Sequence, residues 1–376
     1  MIIKTWFRKL SIIAPIVLGA LLLWPQPAEA LAAGAKEAHS DGHKEKKFDV
    51  SGMILHHILD AHEWHIATIG DKHISIPLPV ILYDREEKKW VSFSSSHFHH
   101  GYEAYRGYMI SHEAPNNGKI VKVVPGTKEI DSSASLPLDF SITKNVLSIF
   151  LSIIFLSWLF ISIARRYTRN TQAAPRGVQN FLEPLILFLR DELAIPSIGE
   201  KKYERFMPFL LTLFFFIFFN NLLGLIPIFP GGANVTGNIT VTLVLALFTF
   251  AITNFSGNKA YWMHIFNAPG VPWWLKFPLP LLPIVELIGV LTKPFVLMVR
   301  LFANISAGHI IILGFFSLIF IFGEMAPSLG YGVSVLSVAF AIFMNFLEFL
   351  VAFIQAYVFT LLSALYFGLA TEEHAH

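Results

Sequence analysis

The chain has 376 residues, of which 54% are hydrophobic and only 14% are charged. A soluble domain normally carries about 25% charged residues, so the composition predicts a membrane protein. The net charge of +2 gives no support to a nucleic-acid partner, which requires a strongly basic surface. The sequence contains no cysteine, which excludes disulfides, cysteine zinc sites and thiol catalysis.

Residues 1–30 have the pattern of a signal peptide. Basic residues at positions 4, 8 and 9 precede an apolar stretch from Leu10 to Trp24, and Ala28 and Ala30 offer a small-x-small cleavage site. The alternative is an uncleaved N-terminal anchor. In both cases the segment that follows is expected to be exported.

Residues 31–141 are predicted to form a periplasmic, β-rich segment. The stretches "HISIPLPVILY" (73–83) and "KWVSFSS" (89–95) flank "DREEK" (84–88), a pattern typical of strand–turn–strand. The stretch "KIVKVV" (119–124) adds a further predicted strand. We expect a small β-rich cap.

The same segment is rich in histidine, which raises the question of a metal site. The tracts are "HHILDAHEWH" (56–65) and "HFHH" (97–100). Their spacing matches no defined ligand motif, although exposed histidine tracts bind metals incidentally. The sequence therefore predicts neither a dedicated metal site nor a cofactor.

Residues 142–373 are predicted to form an all-α, polytopic membrane domain with about five transmembrane helices. The apolar stretches long enough to span a bilayer are 145–164, 207–230, 235–255, 277–323 and 329–370. The last contains no glycine or proline between Gly332 and Gly368. It is therefore predicted to be one long, tilted helix, and two passes joined by a turn is the alternative.

Loop charges predict the orientation of these helices. Eight basic residues lie between Arg165 and Arg205, which the positive-inside rule assigns to the cytoplasm. Five crossings then leave the N-terminal segment in the periplasm and the C-terminus in the cytoplasm. Within the basic loop, residues 178–199 have the spacing of an amphipathic helix on the inner surface.

Ionisable and amide side chains recur along the penultimate apolar stretch. Glu286, Lys293 and Arg300 are spaced by seven and Asn304 follows by four, so all four are expected on one helix face. His309 lies nine residues beyond Arg300, about half a turn away, and is expected to face a different neighbour. An interfacial ion pair between Glu286 and Lys293 is the alternative to a role in transport.

The last helix carries a second polar stripe, formed by Asn345, Glu348 and Gln355. Small residues beside it predict close helix contact; they are Ala341, Ala352 and Ala356. The amides Asn220, Asn221 and Asn304 are predicted to be interhelical hydrogen-bond partners rather than carriers.

Arg300, His309 and Glu348 are harder to explain as structural residues, because a charge in the bilayer costs a few kcal/mol. Histidine and glutamate can exchange protons when their surroundings tune them. Arginine stays charged, so it can only act as a fixed positive charge. This combination favours a proton path.

Three stretches resemble subunit a of the F-type ATP synthase. They are "RLFANISAGH" (300–309), "PFLLTLFFFIFFNNLLGLIP" (208–227) and "EFLVAFIQAYVFTLLSALYFGLA" (348–370). The resemblance covers about residues 140–373, and the R-L-F-x-N signature with a glutamine on the last helix is specific. The large, histidine-rich exported segment departs from the family pattern.

The resemblance implies a proton-translocating stator subunit of the Fo sector, embedded in the bilayer of a bacterial inner membrane. Its implied partners are the ring of c subunits, the b-subunit peripheral stalk and the other ATP synthase subunits. Arg300 would face the ring carboxylates and separate two half-channels. The other implied proton-translocation positions are Glu348, His309, Gln355, Asn304, Glu286 and Lys293. The subunit itself is expected to be non-catalytic.

Two other classes of membrane protein remain as alternatives. A proton-coupled secondary transporter also buries arginine, glutamate and histidine, but it predicts repeated halves, and none is visible. A ligand-sensing receptor does not require polar residues deep in its last two helices. An enzyme is least supported, because no Walker-type nucleotide loop is present.

Overall fold

The structure is a computed structural model. It describes residues 50, 54 and 58–372, except 70–71, 100, 112–115, 125–126, 128, 132, 170–176, 227–228 and 268–280. The predicted signal peptide therefore lies outside the described residues, as does part of the first histidine tract.

The first part of the chain forms three small antiparallel sheets. Strands β1 (Glu63–Ile69) and β2 (Lys72–Pro77) pair with each other, as do β5 (Tyr108–Ile110) and β6 (Ile120–Lys122). Strands β3 (Pro79–Asp84), β4 (Lys89–Ser94) and β7 (Leu138–Asp139) form the third sheet in the order β4-β3-β7. The predicted β-rich character of this segment is confirmed.

The predicted strand over 73–83 proves to be two strands that belong to different sheets. Pro77 ends β2 and Pro79 begins β3, and prolines cannot donate to a sheet ladder. Leu78 lies between them and its N–H donates to the Ser95 hydroxyl at 2.9 Å. The predicted hairpin around residues 84–88 is confirmed by the β3–β4 pairing. Strand β1 falls partly in the histidine tract and was not predicted.

A buried acid, Asp84, holds the end of strand β3. Its carboxylate accepts hydrogen bonds from the Tyr108 hydroxyl at 2.5 Å and the Glu86 N–H at 2.8 Å, and it pairs with the Lys122 ammonium at 2.7 Å. Burial alone would raise the pKa of Asp84. The hydrogen bonds from Lys122 and Tyr108 outweigh it and hold the pKa well below its usual range.

We expect Asp84→Asn to destabilise the β-rich segment by about 1.5–3 kcal/mol, because it removes the buried counter-charge of Lys122 and the charged acceptor of Tyr108, while Lys122 keeps its ion pair with Glu86 at 2.8 Å. The stabilisation from Asp84 is present above the pKa of an unfolded aspartate and is lost as pH falls through the depressed native value. Urea-dependent proteolysis of the segment in the purified protein measures the change. Glu87→Gln in the same turn is the control, since Glu87 is 62% exposed and pairs with Lys89 only at 3.7 Å. Equal urea midpoints for the two variants would contradict the prediction.

The rest of the chain is helical. The helices are α1 (Lys144–Arg169), α2 (Val178–Phe188), α3 (Ile195–Ile198), α4 (Tyr203–Leu225), α5 (Ile239–Ser256), α6 (Lys259–Asn267), α7 (Leu281–Met325) and α8 (Pro327–Thr371). A π-helical segment, Leu189–Ala194, joins α2 to α3. The predicted helix over 178–199 is thus confirmed, and its buried residues include Leu189, Leu193 and Ala194.

Five of the described helices, α1, α4, α5, α7 and α8, are long and apolar enough to cross a membrane. This number agrees with the sequence prediction. Helix α4 ends at Leu225, earlier than predicted. Helix α5 begins at 239, because the Asn238 side chain caps it by accepting from the Thr240 N–H.

Helix α8 is a single helix of 45 residues, which confirms the prediction for the last apolar stretch; the two-pass alternative is wrong. Helix α7 also has 45 residues and continues through Pro294. Each is about 68 Å long at 1.5 Å per residue, roughly twice the hydrocarbon thickness of a bilayer. Both must therefore tilt or extend beyond it.

The helices differ greatly in how much of their surface is covered. In the most apolar 18-residue stretch of α4, 78% is buried inside the protein. The corresponding stretches of α7 and α8 are 17% and 22% buried. Helix α4 is therefore the centre of the bundle, and α7 and α8 each leave a wide apolar side open. The two long helices approach closely near their turn, since a Cβ at Gly330 would lie 2.8 Å from the Gly323 Cα.

Candidate functional site

Helix α7 presents Arg300 and Asn304 on its exposed side. Among the described residues, Arg300 has no ion-pair partner. Asn304 likewise makes no hydrogen bond with the described residues, so its role as an interhelical hydrogen-bond partner stays a prediction. The bundle covers the opposite side of the helix at this level, where Leu301 and Ile305 are buried.

Glu286 and Lys293 lie nearer the start of α7 and are half-buried. The described residues contain no direct ion pair between them, so the alternative of a contact ion pair is not supported. The Lys293 ammonium instead lies 5.4 Å from the centroid of the Tyr366 ring on α8, within the range of a cation–π contact.

A small cavity adjoins Lys293 between α5, α6, α7 and α8. Its volume is about 10 Å³, close to the space that one water molecule needs. Its polar lining is formed by Thr249, Thr253, Asn254, Tyr261, Lys293 and Tyr366. The cavity therefore has both the size and the polar partners to hold a water.

His309 and Glu348 lie side by side across α7 and α8. The Nδ1 atom of His309 is 3.2 Å from Oε1 of Glu348, and the side chains are 18% and 3% exposed. The approach does not have hydrogen-bond geometry, and neither Glu348 oxygen has a hydrogen-bond partner among the described residues. A buried carboxylate with unfilled acceptor sites is a place where ordered water or a proton is needed.

Two glycines make room for this pair. A Cβ at Gly308 would lie 2.7 Å from Glu348 Oε1 and 3.0 Å from its Cδ, so a larger residue at 308 would displace the carboxylate. On the other side of the histidine, a Cβ at Gly224 would lie 3.6 Å from His309 Nε2. The imidazole therefore fits between α4 and Glu348.

The second polar stripe is only partly buried. Glu348 and Gln355 are buried, whereas Asn345 is exposed. Asn345 is three residues before Glu348, which is about 60° around the helix, enough to turn it out of the packed side. The expected close contact is confirmed at Ala352 and Ala356, which are 1% and 0% exposed.

Asn220 and Asn221 are interhelical hydrogen-bond partners, as predicted. The Ser152 hydroxyl of α1 donates to Asn220 Oδ1 at 3.1 Å. The Asn221 amide donates to the Ala352 carbonyl of α8 at 3.1 Å, and its Oδ1 accepts from Thr236 at 2.5 Å. These bonds fix α1 and α8 against the central helix.

Within the described part of the chain, no group of three or more histidine, aspartate or glutamate side chains is arranged to hold a metal ion. The site described above is formed by protonatable and fixed charges. These are the enclosed His309–Glu348 pair and Arg300, which lies on the exposed side of the helix bundle.

Comparison with known proteins identifies the family. The ATP synthase A chain family matches residues 146–368, which is more than half of the chain and includes Glu286, Lys293, Arg300, His309 and Glu348. The chain belongs to the ATP synthase A chain family. Residues 53–140 match a separate domain of unknown function, DUF8433.

Several subunit a proteins are similar to this chain. "ATP synthase subunit a" of Chloroherpeton thalassium is 43% identical over 245 residues, covering 63% of this chain and 69% of the relative. "ATP synthase subunit a 2" of Chlorobium luteolum is 34% identical and covers 98% of this chain and 94% of the relative. The protein of the same name from Prosthecochloris aestuarii is 39% identical, with 93% and 87% covered. These relatives support the role of an Fo proton-channel subunit and do not favour a secondary transporter.

Sequence reasoning missed two features of this family member's site, both glycines. Gly308 directly precedes His309, and Gly224 follows the paired asparagines. A glycine inside an apolar helix lowers the stability of the helix by up to about 1 kcal/mol. Its presence there indicates that another group packs closely against the helix at that position. It does not say which side chain fills the space.

Proposed function

We propose that this chain forms two proton half-channels beside a rotating ring of c subunits and so couples proton flow to ATP synthesis. One observation carries the proposal: His309 and Glu348 are enclosed together, whereas Arg300 on the same helix faces the open side. An enclosed pair can pass protons along the protein interior. A fixed charge on the exposed side of the helix bundle is free to contact groups on another chain.

Arg300 takes the role of the fixed charge. It remains protonated at all relevant pH values, so it attracts an unprotonated ring carboxylate and repels a proton. A ring carboxylate that has gained a proton no longer needs this counter-charge and can turn into lipid. Arg300 thereby separates the two half-channels, with Asn304 one turn away on the same exposed side.

His309 and Glu348 belong to the outer half-channel, together with Gln355. His309 lies about 13 Å outward of Arg300 along α7, and Glu348 lies about 10 Å outward of Gln355 along α8. This displacement leaves a path from the outer side to the level at which a ring carboxylate would meet Arg300.

Glu286 and Lys293 belong to the inner half-channel. Lys293 lies about 10 Å inward of Arg300 at 1.5 Å per residue. The cavity beside it has room for a water. A hydrated site at this level would let a proton leave the ring on the inner side.

The proposal includes an orientation and partners. The chain lies in a bacterial inner membrane, with residues 1–30 acting as a signal peptide and residues 31–141 in the periplasm. Residues 142–373 cross the membrane five times and end in the cytoplasm. The c-subunit ring and the b-subunit peripheral stalk contact the membrane domain, and ATP chemistry takes place on other subunits.

The experiment that tests the outer half-channel uses a matched pair of glycine substitutions on α7. Gly308→Ala would place a methyl group against the Glu348 carboxylate, whereas a Cβ at Gly314 meets nothing within 4 Å. We expect Gly308→Ala to reduce ATP-driven proton pumping by about tenfold or more, since loss of a positioned proton-transfer group typically costs a factor of 10²–10⁴.

Gly314→Ala should retain pumping, because alanine is the better helix former and its methyl group has open space. Pumping is measured in membrane vesicles at equal amounts of assembled complex. Unimpaired pumping in Gly308→Ala would contradict a role for the pair in proton flow.

A further inference from the structure

Four titratable residues meet where the β-rich segment joins α1. We call Asp60, His62, Asp139 and Lys144 the junction cluster. His62 Nε2 is 2.7 Å from Asp139 Oδ2, with the two side chains 8% and 33% exposed. Asp139 thus connects the enclosed histidine to solvent.

The cluster is tied directly to the first turn of α1. Asp60 accepts hydrogen bonds from the Thr143 hydroxyl at 2.7 Å and the Asn145 N–H at 3.0 Å. The Lys144 N–H donates to the Ala61 carbonyl at 2.9 Å. These contacts hold the start of α1 against the β-rich segment.

Lys144 is the link to the proposed proton path. It is 8% exposed, and its ammonium makes no ion pair or hydrogen bond with the described residues. It nevertheless lies close enough to both Asp60 and His309 for their charges to interact. The charge of Lys144 therefore reaches His309, although 165 positions separate the two residues in the sequence.

Polar atoms without partners continue from the cluster along α1. Asn145 Oδ1 and Ser148 Oγ are buried and have no hydrogen-bond partner among the described residues. Lys144, Ser148 and Ser152 are spaced by four and share one side of the helix, and Ser152 reaches Asn220 on α4. Buried polar atoms of this kind are normally satisfied by ordered water, which would fill the interval towards His309.

The β-rich segment is also fastened to the outer end of the bundle. Trp64 of β1 is 3% exposed and packs with the helices in the main hydrophobic core. Its ring meets that of Phe229, in the connection between α4 and α5, at 5.2 Å and 71°. The same connection contains Ala233, which borders Gly224 beside His309. The junction cluster therefore has a fixed position over this part of the bundle.

We propose that the junction cluster is the outer mouth of the half-channel, where His62 collects protons from solvent through Asp139 and delivers them by way of water beside Lys144 to His309 and Glu348. The inference rests on the proposed function, and it assigns a role in proton entry to the β-rich segment. Each transfer moves one proton between an imidazole, a carboxylate and water, so it needs no further reactant.

The electrostatics of the cluster suit this role. Burial of His62 opposes its protonation, but the hydrogen bond to Asp139 and the charges of Asp139 and Asp60 outweigh burial and raise the pKa of His62. The histidine therefore holds a proton up to a higher pH than a free imidazole. Lys144 is the opposing positive charge, and it interacts with both Asp60 and His309.

The test measures passive proton flux through the complete Fo complex in F1-stripped vesicles whose lumen corresponds to the outer side. The lumen is buffered at about pH 6 to about pH 8, and a potassium diffusion potential drives the flux. His62→Gln preserves a donor to Asp139 but cannot carry a proton. His97→Gln is the matched control, because His97 is an exposed histidine of the same segment, stacked on Tyr105.

We expect His62→Gln to lower flux about tenfold at the alkaline end, where local charge makes the largest difference to the arrival of a cation. The loss should shrink towards the acidic end, where protons are abundant. Asp139→Asn keeps an acceptor for His62 but removes the charge, so the pH at which flux falls should move downward. His97→Gln should match the unmodified complex at every pH.

Glu348→Gln in the same vesicles separates this inference from the proposed function. If Glu348→Gln leaves flux intact, the outer half-channel itself is wrongly assigned. If Glu348→Gln stops flux while the His62 and Asp139 variants follow the unmodified pH profile, only the junction-cluster inference is overturned. Failure of both variants to assemble would identify the cluster as a structural clamp and would overturn it as well.

Discussion

Replacing Arg300 by alanine should abolish ATP-driven proton pumping while the complex still assembles. The side chain is exposed on α7 and has no ion-pair partner among the described residues, so its removal breaks no described ion pair. Its proposed role is an electrostatic interaction with carboxylates on another chain, the ring of c subunits. Loss of a preorganised charge of this kind costs about 10² to 10³ in rate, which in a coupled machine leaves pumping at background.

Passive flux through F1-stripped Fo should persist in Arg300→Ala, because the fixed charge no longer separates the two half-channels. Arg300→Lys should restore pumping poorly, since the ammonium is more compact and more strongly hydrated than a guanidinium. Thr292→Ala is the control, because Thr292 is an exposed polar residue of the same helix whose hydroxyl bonds only to the Gly289 carbonyl at 3.0 Å. Near-normal pumping in Arg300→Ala would refute the central role of this residue.

Exchanging His309 and Glu348 should recover part of the transport that either single substitution removes. The Nδ1 atom of His309 lies 3.2 Å from Oε1 of Glu348, and both side chains are enclosed. The two residues are therefore expected to exchange protons as a coupled pair. His309→Glu or Glu348→His alone leaves two like groups and should lower pumping by about 10²-fold, the usual contribution of a positioned acid or base. The double variant restores one acid and one base at the same place.

The control for this exchange is an exposed pair of the same two residue types. His99 and Glu103 are 3.6 Å apart, with side chains 69% and 56% exposed. Exchanging them should leave pumping unchanged. If the His309/Glu348 double variant pumps no better than the worse single variant, the two residues do not act as a unit, and one of them alone serves the path.

The sequence predicted the membrane helices well because the signals for them are local. Apolar length gave the five spans, and the absence of glycine and proline between Gly332 and Gly368 gave one continuous helix. The positions of Arg300, His309 and Glu348 stood out because ionisable residues are rare in apolar helices. Helical spacing also gave the correct result that His309 faces a different neighbour from Arg300.

Local patterns were less reliable where the outcome depends on packing. Asn304 was predicted to hydrogen-bond between helices, but it is exposed, because no helix in the described part of the chain covers that side of α7. Asn220 and Asn221 have the same chemistry and do form such bonds, because α4 is surrounded. The amide itself carries no information about whether a neighbouring helix is present.

By itself, the sequence determined the class of protein, the number of spans and the identity of the charged residues, since each depends on composition and on spacing along one helix. Only the tertiary structure decided how these residues are combined. It placed Glu348 against Gly308, left the Arg300 side of α7 exposed among the described residues, and set His309 beside Gly224 of α4. Such relations depend on the rotation and distance of packed helices, which are fixed by contacts between residues far apart in the chain.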